Sequence, residues 1–126
     1  MTQHERHQPR SALEEWLERL VAVLERLASD PQRQVEYLES IGVGECADEL
    51  ALEFDDVYRP ARHVLDDSGY SAEFRNALSE LDLQLSSMSG PDHPLLWTAQ
   101  GLLEAPQWAQ VRRMAHRALL LMGRQE

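Results

Sequence analysis

Apolar residues recur at intervals of three and four positions along most of the chain. This spacing is that of one face of an α-helix, and no segment shows the strict alternation of a half-buried strand. The periodic segments are separated by short stretches that contain proline or glycine, such as Gly42, Pro60 and Gly90. Because these residues interrupt regular structure, they mark the ends of helices. The pattern therefore predicts an all-α fold.

Capping residues define the ends of the predicted helices. Ser11, with Glu14 three residues later as in a capping box, and Ser71 are each predicted to cap a helix. Asp30 followed by Pro31 is a typical helix start, since aspartate accepts hydrogen bonds from free amides and proline suits the first helical position. Pro60 is expected to stop or kink the third helix, because proline lacks the backbone N–H of a helix interior. His63–Gly69 is expected to add at most a short turn. The predicted helices cover residues 11–28, 30–42, 45–58, 71–90, 95–103 and 106–123.

Helices with short connections and one apolar face pack as a bundle. We therefore predict a compact bundle of five to six helices that forms a single domain over residues 11–126. Residues 1–10, MTQHERHQPR, have no apolar periodicity and are expected to be a flexible N-terminal tail. The predicted core consists of Leu17, Leu20, Leu24, Leu38, Leu50, Phe54, Leu78, Leu81, Trp108, Val111 and Ala115.

Composition limits the environment in which this chain is expected to work. With 126 residues, of which 43% are hydrophobic, the chain can bury a core without disulfides or metals. Its single cysteine, Cys46, cannot form an internal disulfide, and no apolar run is long enough to span a membrane. We therefore expect a cytoplasmic protein with no membrane partner. All 12 basic residues are arginine, and this choice indicates a GC-rich genome such as that of an actinobacterium.

The net charge of −10 restricts the partners. Nucleic acid is not expected, because its phosphates would be repelled. A basic protein would be attracted. The acidity is concentrated at residues 45–82, which hold eleven acidic residues against three arginines, whereas residues 105–126 hold four arginines against one glutamate. This distribution has two interpretations: the two regions neutralise each other within the fold, or the acidic region faces a partner.

The third predicted helix carries the candidate binding site. At 100° per residue its acidic side chains occupy one side of the helix, opposite the apolar stripe, and Leu52 lies among them. An apolar residue surrounded by charge is typical of an interface anchor with a polar rim. The alternative is a solvated face, with Leu52 covered by a neighbouring loop. The candidate partner-binding residues are Asp48, Glu49, Leu52, Glu53, Asp55, Asp56 and Tyr58.

Two stretches, DELALEFDD at Asp48–Asp56 and LWTAQGLLEAPQWAQVRRMAHRAL at Leu96–Leu119, resemble patterns in small uncharacterised actinobacterial helical proteins. Those proteins are similar in character to the immunity proteins of bacterial toxin systems. The segment DDVYRP, at Asp55–Pro60, also resembles the acidic, tyrosine-bearing helix of colicin-type immunity proteins, although Arg59 stands where that helix has a second tyrosine. These resemblances imply a protein that neutralises a basic partner.

An enzymatic alternative rests on a different spacing. Glu14, Glu15 and Glu18 in EEWLE, followed by Glu45 and Asp48 in ECAD, resemble the EExxE and ExxD motifs of MazG-type NTP pyrophosphatases. The resemblance implies a magnesium-dependent, all-α enzyme, since carboxylates are suitable ligands for Mg²⁺. However, Gly42 and Gly44 interrupt the region where that family continues toward its second helix, and Glu14 belongs to the predicted capping box. No Gly-rich phosphate loop or Glu-x-x-His pair is present. We therefore favour a binding protein without a catalytic residue, metal or other cofactor.

Overall fold

A computed structural model describes residues 12–43, 46–62, 65, 69–89 and 92–122. These residues form helices and no strand, so the predicted all-α class is confirmed. The predicted tail 1–10, the cap Ser11, Glu45 and most of the predicted turn at 63–69 lie outside the described residues. The helices are α1 (Ala12–Ala28), α2 (Pro31–Ser40), α3 (Asp48–Ala61), α4 (Ala72–Ser87), a 3-10 helix (Pro94–Trp97), α5 (Ala99–Glu104) and α6 (Pro106–Met122).

Side-chain caps fix the starts of three helices. Asp30 accepts a hydrogen bond from the Arg33 amide, and Ser71 accepts one from the Phe74 amide. Both caps agree with the sequence prediction. Thr98 was not predicted as a cap, yet its hydroxyl accepts a hydrogen bond from the Gly101 amide. Because a capping residue is not itself helical, Thr98 divides the predicted helix 95–103 into the 3-10 helix and α5.

The third helix differs from its predicted bounds. It begins at Asp48 and ends at Ala61, so it continues one residue past Pro60. The predicted end at Tyr58 is therefore three residues too early, and the helix ends one residue after Pro60. Proline removes one backbone donor, and in the last turn of a helix this loss affects only one hydrogen bond. The carbonyl of Val57, in the same turn, also accepts a hydrogen bond from the Trp16 indole of α1.

The four long helices, α1, α3, α4 and α6, form a four-sided bundle in which three neighbouring pairs pack closely. α1 packs along both α6 and α3, and α6 also packs along α4. The fourth side, between α3 and α4, is joined at few positions. The shorter helices lie around this arrangement, with α2 against α5 and α5 against the 3-10 helix. The bundle is therefore tightly packed around α1 and α6 and looser where α3 faces α4.

The core agrees closely with its prediction. Ten of the eleven predicted core residues are buried, and Leu17 is half-buried. Among the described residues, Trp108, Phe54 and Phe74 are the largest fully buried side chains. Cys46 is exposed and precedes the first turn of α3.

Among the residues that the structure describes, one polar side chain is completely buried. Gln34 of α2 donates hydrogen bonds from its Nε2 to the carbonyls of Arg26 and Leu27, both at 3.0 Å, at the C-terminal end of α1. Its Oε1 accepts a hydrogen bond of 2.9 Å from Arg112 of α6, and the same guanidinium nitrogen donates to the carbonyl of Leu102 in α5 at 3.2 Å. Burial lowers the pKa of Arg112. Gln34 thus connects α1, α2 and α6, and Arg112 extends the network to α5.

The 3-10 helix is held against the bundle by Trp97. Its indole N–H donates to the Met88 carbonyl at 2.9 Å, and its own carbonyl accepts from the Ala47 amide at 3.1 Å, just before α3 begins. Its ring meets Trp108 edge to face, with centroids 5.4 Å apart. Gly101 of α5 lies against this segment: a Cβ at that position would be 2.3 Å from the Leu95 carbonyl oxygen. Glycine is required there because the two backbones approach too closely for a side chain.

Among the described residues, no helix combines the length and apolar character that crossing a membrane requires.

We predict that Gln34→Leu lowers the free energy of unfolding by about 2–4 kcal/mol. The leucine has a similar size, but it removes the side-chain donor of the buried Leu27 carbonyl and the Gln34 acceptor of the Arg112 guanidinium, whereas the Arg26 carbonyl keeps its hydrogen bonds from Ser29. Denaturant titration measures the loss. Gln100→Leu, at an exposed position of α5, is the control and should change stability little. A Gln34→Leu protein as stable as the wild type would contradict the prediction.

A second prediction concerns Gly101. Gly101→Ala should lower the melting temperature by several degrees, because the added methyl group overlaps backbone atoms of Leu95 and Leu96 that cannot move without displacing the 3-10 helix. The matched control is Gln100→Ala in the same helix, where the side chain is exposed. Equal melting temperatures for both variants would show that the 3-10 helix is free to shift.

Candidate functional site

The acidic residues lie outside the buried side of α3, and two of them, Glu53 and Asp56, lie next to α1. Leu50, Phe54 and Val57 form the buried side of the helix. Asp48 and Glu49 occupy its first turn, where the N-cap residue Ala47 provides no side-chain hydrogen bond. Carboxylates in this position interact favourably with the free amides and the positive end of the helix dipole. The acidic start therefore helps to form the helix as well as charging its surface.

The centre of this side is exposed. Leu52 is 54% exposed, so the alternative in which a loop covers it is wrong. Its helical neighbours are Asp48 one turn before, Asp56 one turn after, and Glu49 beside it. Asp48 and Asp56 are exposed and Glu49 is half-buried. Within the part of the chain that the structure describes, none of these three carboxylates forms an ion pair. We call these four residues, Asp48, Glu49, Leu52 and Asp56, the acidic face.

Glu53, at one edge of the predicted site, is bound within the protein. Its Oε1 accepts a hydrogen bond of 3.0 Å from Arg26 of α1, and its Oε2 accepts one from the Tyr37 hydroxyl of α2. The Arg26 guanidinium also lies 4.0 Å from the centre of the Tyr37 ring. Desolvation by burial, together with the hydrogen bond to Glu53, raises the pKa of Tyr37. Glu53 thus joins three helices and is not free to bind a partner.

Asp55, at the opposite edge, is paired with Arg59 one turn later. The guanidinium donates two hydrogen bonds to the carboxylate, of 2.7 and 3.1 Å. The hydrogen bond and charge of Asp55 raise the pKa of Arg59. The pair is exposed to solvent on the Arg59 side, so it contributes little to stability. Its effect is to neutralise Asp55 locally and to hold Arg59 along the helix.

Tyr58 does not belong to a binding surface. It is only 7% exposed and stacks on Phe54, with ring centroids 5.2 Å apart. Burial, and the nearby charge of Asp82, raise its pKa. The prediction that Tyr58 anchors a partner at the end of the acidic helix is therefore wrong. Its position next to the apolar stripe places the ring in the core, and the helical angle alone did not show how far the core extends.

A groove lies beside the acidic face, at the loosely joined side of the bundle. It has a volume of about 480 Å³ and is bounded by α3, α4 and the 3-10 helix. Arg59 and Tyr58, near the end of α3, lie close enough to Asp82 of α4 for its charge to act on both. The groove extends from there toward the start of α3. Its lining includes Asp48, Leu52, Asp55, Asp82, Leu85 and Trp97. We call it the α3–α4 groove; it was not predicted from the sequence, because it depends on how distant helices pack.

No metal centre is formed by the described residues: no three histidine, cysteine, aspartate or glutamate side chains among them come together. Glu14, Glu15 and Glu18 are exposed on α1, and Asp48 is exposed on α3. Glu45, which would complete the MazG-like motif, lies outside the described residues. His93, His116 and Cys46 are exposed. The groove and the acidic face are thus the features of this region that a partner or ligand can reach.

Comparisons with protein-family models, with curated proteins and with solved structures gave no match to this chain.

The Tyr37–Glu53 contact predicts a loss of stability at alkaline pH. The folded protein holds the Tyr37 proton to a higher pH than the unfolded chain does. The stabilisation that comes from this difference is fully present below the unfolded pKa of about 10. It is lost as the pH rises through the pKa of Tyr37 in the folded protein. We expect the free energy of unfolding to fall between about pH 8 and pH 11, and to fall less in Tyr37→Phe. Urea titrations at both pH values test this. An equal fall in both proteins would exclude Tyr37 as the source.

Proposed function

We propose that this chain is an acidic binding protein that docks a basic protein on the acidic face of α3. The observation that supports this most directly is the exposure of Leu52, which is 54% accessible and has carboxylates one turn away on either side. The side chain of Leu52 does little to stabilise the isolated protein, because it remains largely in water. When a partner covers it, its apolar surface is removed from water, which favours binding.

The charges around Leu52 support a basic partner. Asp48, Glu49 and Asp56 have no ion pair among the described residues, and the whole chain carries a net charge of −10. A negative potential of this kind raises the association rate of a positively charged protein. An apolar anchor inside a charged rim lowers the dissociation rate. The two roles are carried by different side chains and are therefore separable by mutation.

We propose a smaller set of contact residues than the sequence predicted. Asp48, Glu49, Leu52 and Asp56 stay in the proposed surface, and Asp55 borders the groove next to it. Glu53 and Tyr58 leave the set, because Glu53 is bound to Arg26 and Tyr37 and Tyr58 is buried. We further propose that the protein acts in the cytoplasm as an immunity-like protein, whose binding neutralises a basic toxin. The resemblance of Asp48–Asp56 to proteins of that character motivates this part of the proposal.

The proposal predicts distinct kinetic effects for charge and anchor. A purified basic partner, recovered on the immobilised wild-type chain, is passed over each variant by surface plasmon resonance. Asp48→Asn combined with Asp56→Asn should lower the association rate by about threefold to tenfold and reduce its salt dependence. Leu52→Ala should leave association nearly unchanged and raise the dissociation rate by about tenfold or more.

Matched controls are available on other helices. Leu83 of α4 is 66% exposed, so Leu83→Ala removes an equally accessible leucine outside the proposed surface. Glu36→Gln with Glu39→Gln removes two exposed carboxylates from α2. Cytochrome c, as an unrelated basic protein, measures attraction that depends on charge alone. The proposal fails if the control variants weaken binding as much as the α3 variants, or if the recovered partner binds all of them equally.

A further inference from the structure

We infer that the α3–α4 groove receives a segment of the partner that carries an arginine or lysine side chain next to an apolar one. This inference rests on the proposed function and adds to it the kind of segment that is bound. The acidic face alone would accept any positively charged surface. The groove beside it imposes a shape and a mixture of apolar and charged contacts, so it selects among basic partners.

The floor of the groove contains apolar side chains. Leu85 and Phe54 line it but are almost fully buried, at 5% and 1% exposure, so the apolar surface that an occupant can reach comes from other lining residues such as Leu52, which is 54% exposed. Trp97 contributes from the 3-10 helix and is half-buried. Its indole N–H already donates to the Met88 carbonyl, so the contact that remains for an occupant is with the ring carbons. A floor of this kind favours aliphatic side chains, including the methylene stem of arginine or lysine.

The rim of the groove is acidic on both sides. Asp48 and Asp55 line it from α3 and Asp82 lines it from α4, whereas Arg59 is the one cation among the lining residues. Arg59 is held by Asp55 through two hydrogen bonds, which leaves Asp48 and Asp82 without an ion pair among the described residues. A cationic head group would be attracted at either end of the groove, to Asp48 at the start of α3 or to Asp82 near the end of α3. An anionic occupant would be repelled.

The dimensions favour a segment of polypeptide. The groove is open to solvent, and its volume of about 480 Å³ is large enough for several side chains. Leu52 lines it and is also the centre of the acidic face. A partner that covers Leu52 therefore also reaches the groove, so the two form one continuous surface. Such a partner would place a cationic residue and an adjacent apolar residue in the groove, next to Leu52.

The experiment uses two peptides of equal length and charge as probes. One has leucine and arginine at helical spacing on one face; in the other, serine replaces every leucine. Binding to the full chain is measured by calorimetry and by ¹⁵N-¹H correlation spectra. We expect the leucine-containing peptide to bind at least about tenfold more tightly and to shift the indole signal of Trp97 but not that of Trp16.

Two pairs of variants locate the binding. Ser86 lines the groove and is exposed, so Ser86→Phe fills the space without disturbing the core; Ser87→Phe, at the next exposed position and outside the lining, is its control. Asp82→Asn removes a rim charge, with Glu80→Gln on the exposed side of α4 as control. We expect Ser86→Phe to weaken binding of the leucine-containing peptide by about tenfold or more and Asp82→Asn by about threefold to tenfold.

The outcomes separate this inference from the proposed function. If Ser86→Phe and Asp82→Asn do not affect the peptide or the recovered partner while Leu52→Ala still weakens the partner, the groove is rejected and the acidic face stands. If the serine peptide binds as well as the leucine peptide, or neither binds, the groove is also rejected. If Leu52→Ala has no effect either, both proposals fail. Weaker binding in the groove variants, with unchanged controls, supports the inference.

Discussion

The buried hydrogen bonds of Gln34 and Arg112 determine how the helices are placed. The end of α1 and the end of α5 both present carbonyl groups to the interior, and a buried carbonyl without a donor is costly. Gln34 donates to two of them and Arg112 to a third, while Gln34 accepts a hydrogen bond from Arg112. Every member of this network is paired. Because it is specific in distance and direction, it permits one arrangement of α1, α2, α5 and α6, whereas apolar packing alone would permit several.

This arrangement accounts for the open side of the bundle. With α1 and α6 fixed to each other, α3 packs on α1 and α4 packs on α6. The distance between α3 and α4 then depends on the contacts that they make directly, which are concentrated near Tyr58, Arg59 and Asp82. Toward the start of α3, the Trp97 side chain and the 3-10 helix occupy the gap. The groove is thus a consequence of packing on the other three sides.

The sequence predicted the features that depend on near neighbours in the chain. Helical spacing identified the helices and ten of eleven core residues, and Asp30 and Ser71 were recognised as caps because a cap acts within one turn. Features that depend on distant residues were missed. Nothing near Gln34 indicates that it meets Arg112, and nothing near Glu53 indicates that it faces Arg26 and Tyr37. Tyr58 was misplaced for the same reason, since its burial depends on packing with other helices.

The placement of Glu53 has a consequence for the thermodynamics of binding. Its contacts with Arg26 and Tyr37 hold one edge of the acidic helix surface against α1 and α2. The helix that carries the acidic face is therefore held in place without a partner. A surface that is held in its bound arrangement loses little conformational entropy on association, and more of the contact energy is retained as affinity. Glu53, although it makes no contact with the partner, would thus strengthen the interface by preorganising the residues beside it.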